Sequence, residues 1–496
     1  MTVIQIKNLN FSYESGLAPI FSNINLDFDS SWKLGIIGRN GRGKTTLLKI
    51  LSGDLIGQGE IVTNLNFVYF PKFISNKNLL TIDVLTQNQE FPLWKLECEF
   101  MKLALNPEAL HRHFNTLSGG EQTKALLAVL FLKENVFPLL DEPTNHLDLK
   151  TRQIIAKYLK NKKQGFIIVS HDRSFIDATV DHVAAIERTQ MIVHQGNYSV
   201  YEEEKSMRDH YEAEKNKTLK KEIGRLKKTA SDKEQWSKRR EKDKHGDRHI
   251  KNSGLIVNKD QISARAKRVM KKAKNLEHRM EKRIKEKKGL LKDIEVTSEL
   301  QMNYQPDVHK NLLSTQNLVL SYSDREIKIP DLNLYQGDRL LVRGDNDSGK
   351  STFLKAIVKK FDGLQTGNLV TTPVKFSYLS QNLIDFSGNL KQFGEQEGLE
   401  LSLFLNILRK LGFERDNFFT PINSLSQGQR KKAALAKSLC LPTTLYIWDE
   451  PLNYLDVYNV KQVEEVIERT QPTMIFVEHD RTFSDKIATK EIKLGE

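Results

Sequence analysis

The chain has 496 residues, 39% of them hydrophobic, and its 76 Lys and Arg against 63 Asp and Glu give a formal net charge of +13. That length allows two or more domains with cores of their own, and a balance this basic points to an anionic partner such as nucleic acid. The longest apolar run, Ala125–Leu132, has eight residues, too few to span a membrane, and two cysteines, Cys98 and Cys440, one in each half, argue against a disulfide framework or a cysteine zinc site.

The N-terminal MTVIQIKNLNF lacks the basic-then-apolar layout of a secretory signal, so a reducing cytoplasm is the expected location. Downstream, WKLGIIG (Trp32–Gly38) reads as a strand. It runs into GRNGRGKTT (Gly38–Thr46) and the helix-compatible TTLLKIL. Strand, glycine turn and helix are the context a P-loop requires. In such a loop the N–H groups after Gly38, through Asn40, Gly41 and Gly43, cradle phosphate oxygens. Lys44 reaches the β and γ phosphates, Thr45 holds Mg²⁺ through its hydroxyl, and Thr46 follows on the helix. Ahead of the loop, Tyr13 in FSY is a candidate to stack on adenine, with ordinary packing as the alternative.

LSGGEQ (Leu117–Gln122) places Ser118 at a helix start, where its hydroxyl and the free N–H groups around Gly120 can bind a second phosphate. VFPLLDE is a buried-strand pattern ending in Asp141, suited to organise a metal's water shell. Alternation along the strand turns the next residue, Glu142, toward a γ-phosphate, where it can orient or deprotonate the attacking water. GFIIVSH carries His171 at its end, read as a γ-phosphate sensor that aligns this water. Asp148, seven residues beyond Asp141, is a candidate for joining two domains.

Residues 202–300 differ from what precedes them. Residues 201–300 hold 31 Lys or Arg and 19 Asp or Glu, so nearly all of the positive excess lies in one fifth of the chain. Glu202–Lys242 has no proline and one glycine, and Gln261–Leu300 is similar, so both read as long helices around a turn with its tip at about 245–259. Leu219, Ile223 and Leu226 face Val269, Leu276 and Met280 as a thin seam. An elongated basic hairpin favours RNA or DNA, the alternative being a solvated linker.

The third segment repeats the first. DRLLVRG (Asp338–Gly344) precedes GDNDSGKST, with Gly344, Asn346, Gly349, Lys350, Ser351 and Thr352 in the phosphate and metal roles. LSQGQR (Leu425–Arg430) brings Ser426 and Gly428, TLYIWDE brings Asp449 and Glu450, and TMIFVEH brings His479. Tyr322 in LSY matches Tyr13, and Asp456 matches Asp148. Gly38 and Gly344 are 306 residues apart, while Leu117/Leu425, Asp141/Asp449 and His171/His479 are each 308 apart. Gln381 in YLSQ can touch Mg²⁺ or the attacking water. The first half has YFPK, and a charged Lys72 can do neither, so the two sites are expected to differ. The economical arrangement is head-to-tail, each LS[GQ]G covering the ATP of the other half. The expected organisation is α/β: one nucleotide-binding domain over 1–201, a basic helical hairpin over 202–300 and a second nucleotide-binding domain over 301–496.

The whole chain, residues 3–494, resembles the ABC-F ATPases, tandem ATP-binding-cassette proteins that act on the ribosome. The resemblance rests on GRNGRGKT with LSGGEQ, LLDEPTNHLD (Leu139–Asp148) and SHDR (Ser170–Arg173), and on GDNDSGKS, LSQGQ, WDEPLNYLD (Trp448–Asp456) and EHDR (Glu478–Arg481). The long hairpin and PLNYLD resemble the Lsa and Vga type of antibiotic-resistance members. That resemblance implies two P-loop ATP-binding-cassette domains, ATP and Mg²⁺ as cofactors, and Glu142 and Glu450 as catalytic glutamates with His171 and His479 beside them. It also implies a monomer, cytoplasmic and ribosome-associated, whose cassettes pair within one chain. Residues 202–300 would meet 23S rRNA and the P-site tRNA, with no DNA and no membrane partner. The implied activity is displacement of lincosamide, pleuromutilin or streptogramin A drugs. A housekeeping ABC-F translation factor is the second reading, and the apolar tip residues Leu255, Ile256 and Val257 favour reach to a drug site. A transporter ATPase would need a membrane partner, which membrane co-fractionation would reveal. Two departures, Gln427 at the first signature glycine and Lys72 in YFPK, put equal turnover at the two sites in doubt.

Overall fold

The computed structural model describes residues 3–13, 19–72, 74–86, 91–133, 135–145, 147–187, 191–242, 279, 282, 299–322, 325–345, 347–382, 384–414 and 416–495. The strands of the first half are β1 (Val3–Phe11), β2 (Phe21–Asp29), β3 (Lys33–Ile37), β4 (Gln58–Val62), β5 (Asn66–Phe70), β6 (Val136–Asp141), β7 (Phe166–Val169), β8 (His182–Ile186) and β9 (Met191–Gln195). Those of the second are β10 (Asn311–Tyr322), β11 (Arg325–Ile329), β12 (Leu332–Tyr335), β13 (Arg339–Arg343), β14 (Leu364–Thr371), β15 (Phe376–Leu379), β16 (Leu445–Asp449), β17 (Thr473–Val477) and β18 (Lys490–Lys493).

Each half folds around a parallel sheet of the same order, β5-β6-β7-β3-β8 in one and β15-β16-β17-β13-β18 in the other, with β9 added antiparallel to β8. Every residue of β6, β7, β16 and β17 is buried, which is why these segments read as unbroken apolar runs rather than alternating ones. A smaller antiparallel sheet lies beside each: β2-β1-β4, and β11-β10-β12 with β14 also on β10. One core cluster in each half joins residues of the two sheets, including Ile6, Phe28 and Phe137 in the first and Leu320, Leu340 and Ile447 in the second. The central sheet also packs on helices, through Phe100, Leu127 and Phe166 or through Phe404, Leu435 and Trp448. Because β3 lies between β7 and β8 and next but one to β6, the loops after β3, β6 and β7 open at one sheet edge, where α/β folds place ligands.

Residues Met1–Tyr201 with Thr297–Glu496 form one compact unit and Glu202–Val296 another. The helix Tyr198–Lys242, 45 residues and about 68 Å long, begins four residues before the latter and continues within it, with Leu219 and Ile223 buried. Arg279 and Lys282 are helical. The expected tip at 245–259 and the seam residues Val269, Leu276 and Met280 lie outside the described residues. Among the described residues no helix is long and apolar enough to cross a membrane.

Candidate active site

The two P-loops close on the same geometry. Gly43 has φ +86° and Gly349 φ +95°, and each caps the helix that follows. A Cβ on Gly43 would lie 2.5 Å from Ile20 Cγ2, and one on Gly349 2.6 Å from Ile327 Cδ1, so both the backbone and the floor beneath it require glycine. Gly41 (φ +83°) is replaced in the second loop by Asp347 (φ +63°), a left-handed position that aspartate tolerates. Lys44 Nζ donates to Gly38 O at 2.8 Å and lies 3.4 Å from Asn40 Oδ1; Lys350 Nζ donates to Gly344 O at 2.9 Å and to Asp345 O. Burial lowers the pKa of both lysines, which leaves them poised for an anionic partner. Thr45 is exposed, and the buried Thr46 shares a 3.1 Å hydrogen bond with the Tyr13 hydroxyl. Tyr13 also packs edge-on against Phe11 and Tyr322 edge-on against Phe361, and both remain partly exposed. Asn346 lies outside the described residues.

Asp141 ends β6 and Asp449 ends β16, both buried. Glu142 and Glu450 are placed differently from the alternation expected of a continuing strand. They stand just past the strand ends at φ 49° and φ 48°, and it is this left-handed turn that aims each side chain at its histidine. His171 Nε2 lies 3.2 Å from Glu142 Oε1, and His479 Nε2 3.6 Å from Glu450 Oε1. The surroundings of the two glutamates then diverge. Burial, with Asp141 adjacent, pushes Glu142 up to about 8, and burial drives His171 down to about 3, so that histidine is neutral. Burial also acts on Glu450, but the His479 ring beside it and the amides of Gln381 and Asn453, which donate to its carboxylate, hold it at about 2. Gln381 Nε2 makes one of these bonds at 3.0 Å, whereas the equivalent Lys72 is exposed.

Three participants escaped the sequence reading. The Tyr69 hydroxyl donates to Asp141 Oδ2 at 2.7 Å; only its repeat partner Tyr378, pushed up to about 12 by burial and by the nearby Asp449, could have flagged it. Asn453 was hidden within PLNYLD. Glu478 stands where the first half has Ser170, buried, and accepts the N–H groups of Leu452, His479 and Asp480.

The halves meet head-to-tail. Asn40 N of the first P-loop donates to Asp456 Oδ2 at 2.9 Å, and Asn40 Nδ2 to Tyr454 O at 2.8 Å. Asp456 is fully buried, caps the helix Val457–Thr470 and pairs with Lys432 at 3.2 Å. A Cβ on Gly428 would sit 3.2 Å from Asn40 Nδ2, so the second signature faces the first P-loop, whereas the position of Gly119, the counterpart of Gln427, opens on free space. A longer side chain is thus accommodated at the first signature glycine but not at the second. Ser118 and Ser426 each cap their helix in a reciprocal box, with Glu121 and Gln429 respectively. Opposite, Tyr322, Gln381, Glu450, His479 and residues 349–352 share a 430 Å³ cavity bounded by Leu147 and Arg152 of the first half. Gly120 packs beside Thr151, next along that same first-half segment.

The site is composed of hard oxygen donors. Asp141 Oδ1 and Asp449 Oδ1 are buried without a hydrogen-bond partner, and the Ser351 hydroxyl bonds Asp449. Such a set fits Mg²⁺, which keeps waters and takes one or two carboxylates plus phosphate oxygens. No cluster of three or more His, Cys, Asp or Glu that could hold a metal occurs among the described residues.

Two P-loops, each with an Asp-Glu strand end and a histidine, the first facing the second half's signature and the second facing Leu147 and Arg152 of the first half, define a tandem ATP-binding-cassette ATPase. The ABC transporter family model matches residues 21–145 and 327–453. The chain is 30% identical over 504 residues to the ribosome protection protein VmlR of Bacillus subtilis, covering 98% of this chain and 86% of that one. It is 26% identical over 544 residues to the ATP-binding protein Uup of Haemophilus influenzae, covering 99% and 78%. An archaeal ribosome recycling factor, solved in complex with a ribosomal stalk protein, shares the fold with TM-score 0.63 at 19% identity, over 99% of this chain and 88% of that one. The chain belongs to the ABC-F family of ATP-binding-cassette proteins, and it binds and hydrolyses ATP.

Proposed function

We propose that the protein is an ATP-driven ribosome protection factor. In this reading it is cytoplasmic and ribosome-associated, acts as a monomer and displaces lincosamide, pleuromutilin or streptogramin A drugs from the peptidyl-transferase centre. The observation that carries the ATP-driven part is the contact of Asn40 with Asp456 and Tyr454, which makes the P-loop of one cassette part of the surface of the other. Two ATP molecules held between P-loops and opposing signatures pull the halves together. In each, Glu142 or Glu450 accepts a proton from water as its oxygen bonds to the γ-phosphorus, and the bond to the β–γ bridging oxygen breaks. ADP and phosphate no longer span the halves, which then separate. His171 and His479 orient the glutamates. Lys44 and Lys350 neutralise the phosphates, Tyr13 and Tyr322 offer ring faces to adenine, and Ser118, Gly120, Ser426 and Gly428 contact the opposing γ-phosphate. Thr45 with Asp141, and Ser351 with Asp449 and Gln381, would hold Mg²⁺, which supplies charge neutralisation on the β and γ phosphates.

The ribosomal part is supported by similarity to the B. subtilis ribosome protection protein along nearly the whole chain and by the basic segment 202–300. Through that segment the protein reaches 23S rRNA and the P-site tRNA, its tip being residues 245–259. Translation in a bacterial extract inhibited by a lincosamide tests this reading. Added protein is expected to restore synthesis, while a chain lacking residues 245–259 is not. Equal inhibition with and without the intact protein refutes the drug role. Improved synthesis without any drug supports instead a housekeeping factor for stalled ribosomes.

A further inference from the structure

Behind the second P-loop lies a second cavity, of 350 Å³, sharing Lys350 and His479 with the nucleotide cavity in front. Its volume is many times the about 10–15 Å³ that one water needs. Four further cationic side chains, from Lys150, Arg343, Arg481 and Lys493, line it, against the carboxylates of Asp345 and Glu478. Both carboxylates are already engaged: Asp345 Oδ2 pairs with Lys150 at 2.7 Å, and Glu478 accepts three backbone N–H groups. Arg343 contacts Asp485 at 3.0 Å and Glu491 at 3.4 Å and Lys493 has an interaction of its own, so that of the four only Arg481 has no hydrogen bond or ion pair among the described residues.

The first half supplies an internal control. On parallel strands Arg343 stands beside Lys493, whereas the equivalent pair on β3 and β8 is Ile37 beside Ala185. Lys150, two residues after Asp148, corresponds to Tyr458, two residues after Asp456. Arg481 corresponds to Arg173, which is buried against Glu464 and lies 3.7 Å from Asp480. At the first site, then, three of these four cations are replaced by uncharged residues and the fourth is neutralised by partners. Packing alone does not call for such a concentration of charge behind one P-loop only; an anion placed there would balance it.

We propose that this cavity is a binding site for inorganic phosphate, through which the second ATP site, and not the first, discharges the phosphate it has just cleaved. The inference rests on the second site being hydrolytic. Phosphate formed between Lys350 and His479 passes between these two shared residues to Arg481 and Lys493, while ADP still fills the front cavity. The site binds free phosphate without competing with the nucleotide.

Calorimetric titration of the full-length protein, saturated with ADP, with inorganic phosphate tests this independently of turnover. Phosphate is expected to bind, and Arg481→Ala and Lys493→Ala, the latter introducing the residue the first half carries, are each expected to weaken it at least fivefold with ADP affinity unchanged. Both side chains are partly or fully exposed, so the fold tolerates their loss. In steady-state assays of Glu142→Gln, where only the second site turns over, phosphate is expected to inhibit noncompetitively with ATP. In Glu450→Gln, where only the first does, inhibition is expected to be competitive. Phosphate affinity unaltered by either substitution, or competitive inhibition at both sites, overturns the proposal. Phosphate binding that depends on Arg481 in a protein whose Glu142→Gln variant has no ATPase activity would instead refute the hydrolytic reading of the second site.

Discussion

Glu142 and Glu450 occupy a backbone region that costs an ordinary L-residue about 1–2 kcal/mol, and both copies of the domain retain it. The strain is repaid by aim, since a residue continuing the strand could not face the histidine. Replacing either glutamate with glutamine keeps the shape and removes the base. Each single variant is expected to lose roughly half or more of the ATPase rate, and the double variant at least about a hundredfold, the scale of general-base catalysis, with ATP binding retained in a filter-binding assay. Unequal single losses would reflect the contrast between Glu142, buried beside Asp141, and Glu450, held by the amides of Gln381 and Asn453 with His479 beside them. The signature offers a second residue-scale contrast. Gln427→Gly is expected to leave ATPase activity within about twofold, because Gln427 is exposed and a Cβ on its counterpart Gly119 would meet nothing within 4 Å. Gly428→Ala is expected to reduce it several-fold, because its Cβ meets Tyr454 O at 3.0 Å.

Among the elements, the helix Val457–Thr470 meets the first half through its cap Asp456, which accepts from Asn40 N, and through Glu464, which pairs with Arg173. Its cap, Asp456, is held at about 2; burial opposes this, but Lys432, the Asn40 N–H and Lys44 prevail. The folded value lies below the ordinary 3.8, so this carboxylate stabilises the fold above pH 4, and the contribution fades as pH falls from about 4 toward 2. Urea titrations of wild type and Asp456→Asn should therefore differ most near neutrality, by about 2 kcal/mol, and converge at low pH. Further along, Glu464 receives Arg173 from the first half, both side chains almost fully buried. Glu464→Gln removes the closer of the two carboxylates around the buried guanidinium, leaving Asp480 at 3.7 Å, and is expected to cost about 1.5–3 kcal/mol. Arg173→Met with Glu464→Leu together should recover most of that loss in the same urea titration. The repeat partner of Glu464 is Ala156, so the pair exists on one side of the interface alone.

At the scale of the whole molecule, the two cassettes form one unit and the basic segment, into which a 45-residue helix runs, forms the other. If closure on ATP is what presents that segment to the ribosome, the Glu142→Gln, Glu450→Gln variant should pellet with ribosomes in ATP and far less in ADP. Raising salt should weaken this attachment steeply, as phosphate contacts dictate. Equal pelleting in both nucleotides would sink the gating idea.

The motifs and the strands that bear them were legible because their causes are local. A buried parallel strand must be apolar throughout, a P-loop needs glycine where φ is positive, and Ser118 and Ser426 carry their capping partners three residues on. The duplication made each such sign readable twice. Tertiary structure alone decided what depends on residues hundreds of positions apart: Asn40 against Asp456, Arg173 against Glu464, and the cations Arg343, Arg481, Lys493 and Lys150 around one cavity. It also decided that Glu142 and Glu450 leave the strand rather than continue it. Spacing along a chain encodes periodicity and turn chemistry, but burial and field at a carboxylate are summed over neighbours from every direction, and only the folded coordinates bring those neighbours together.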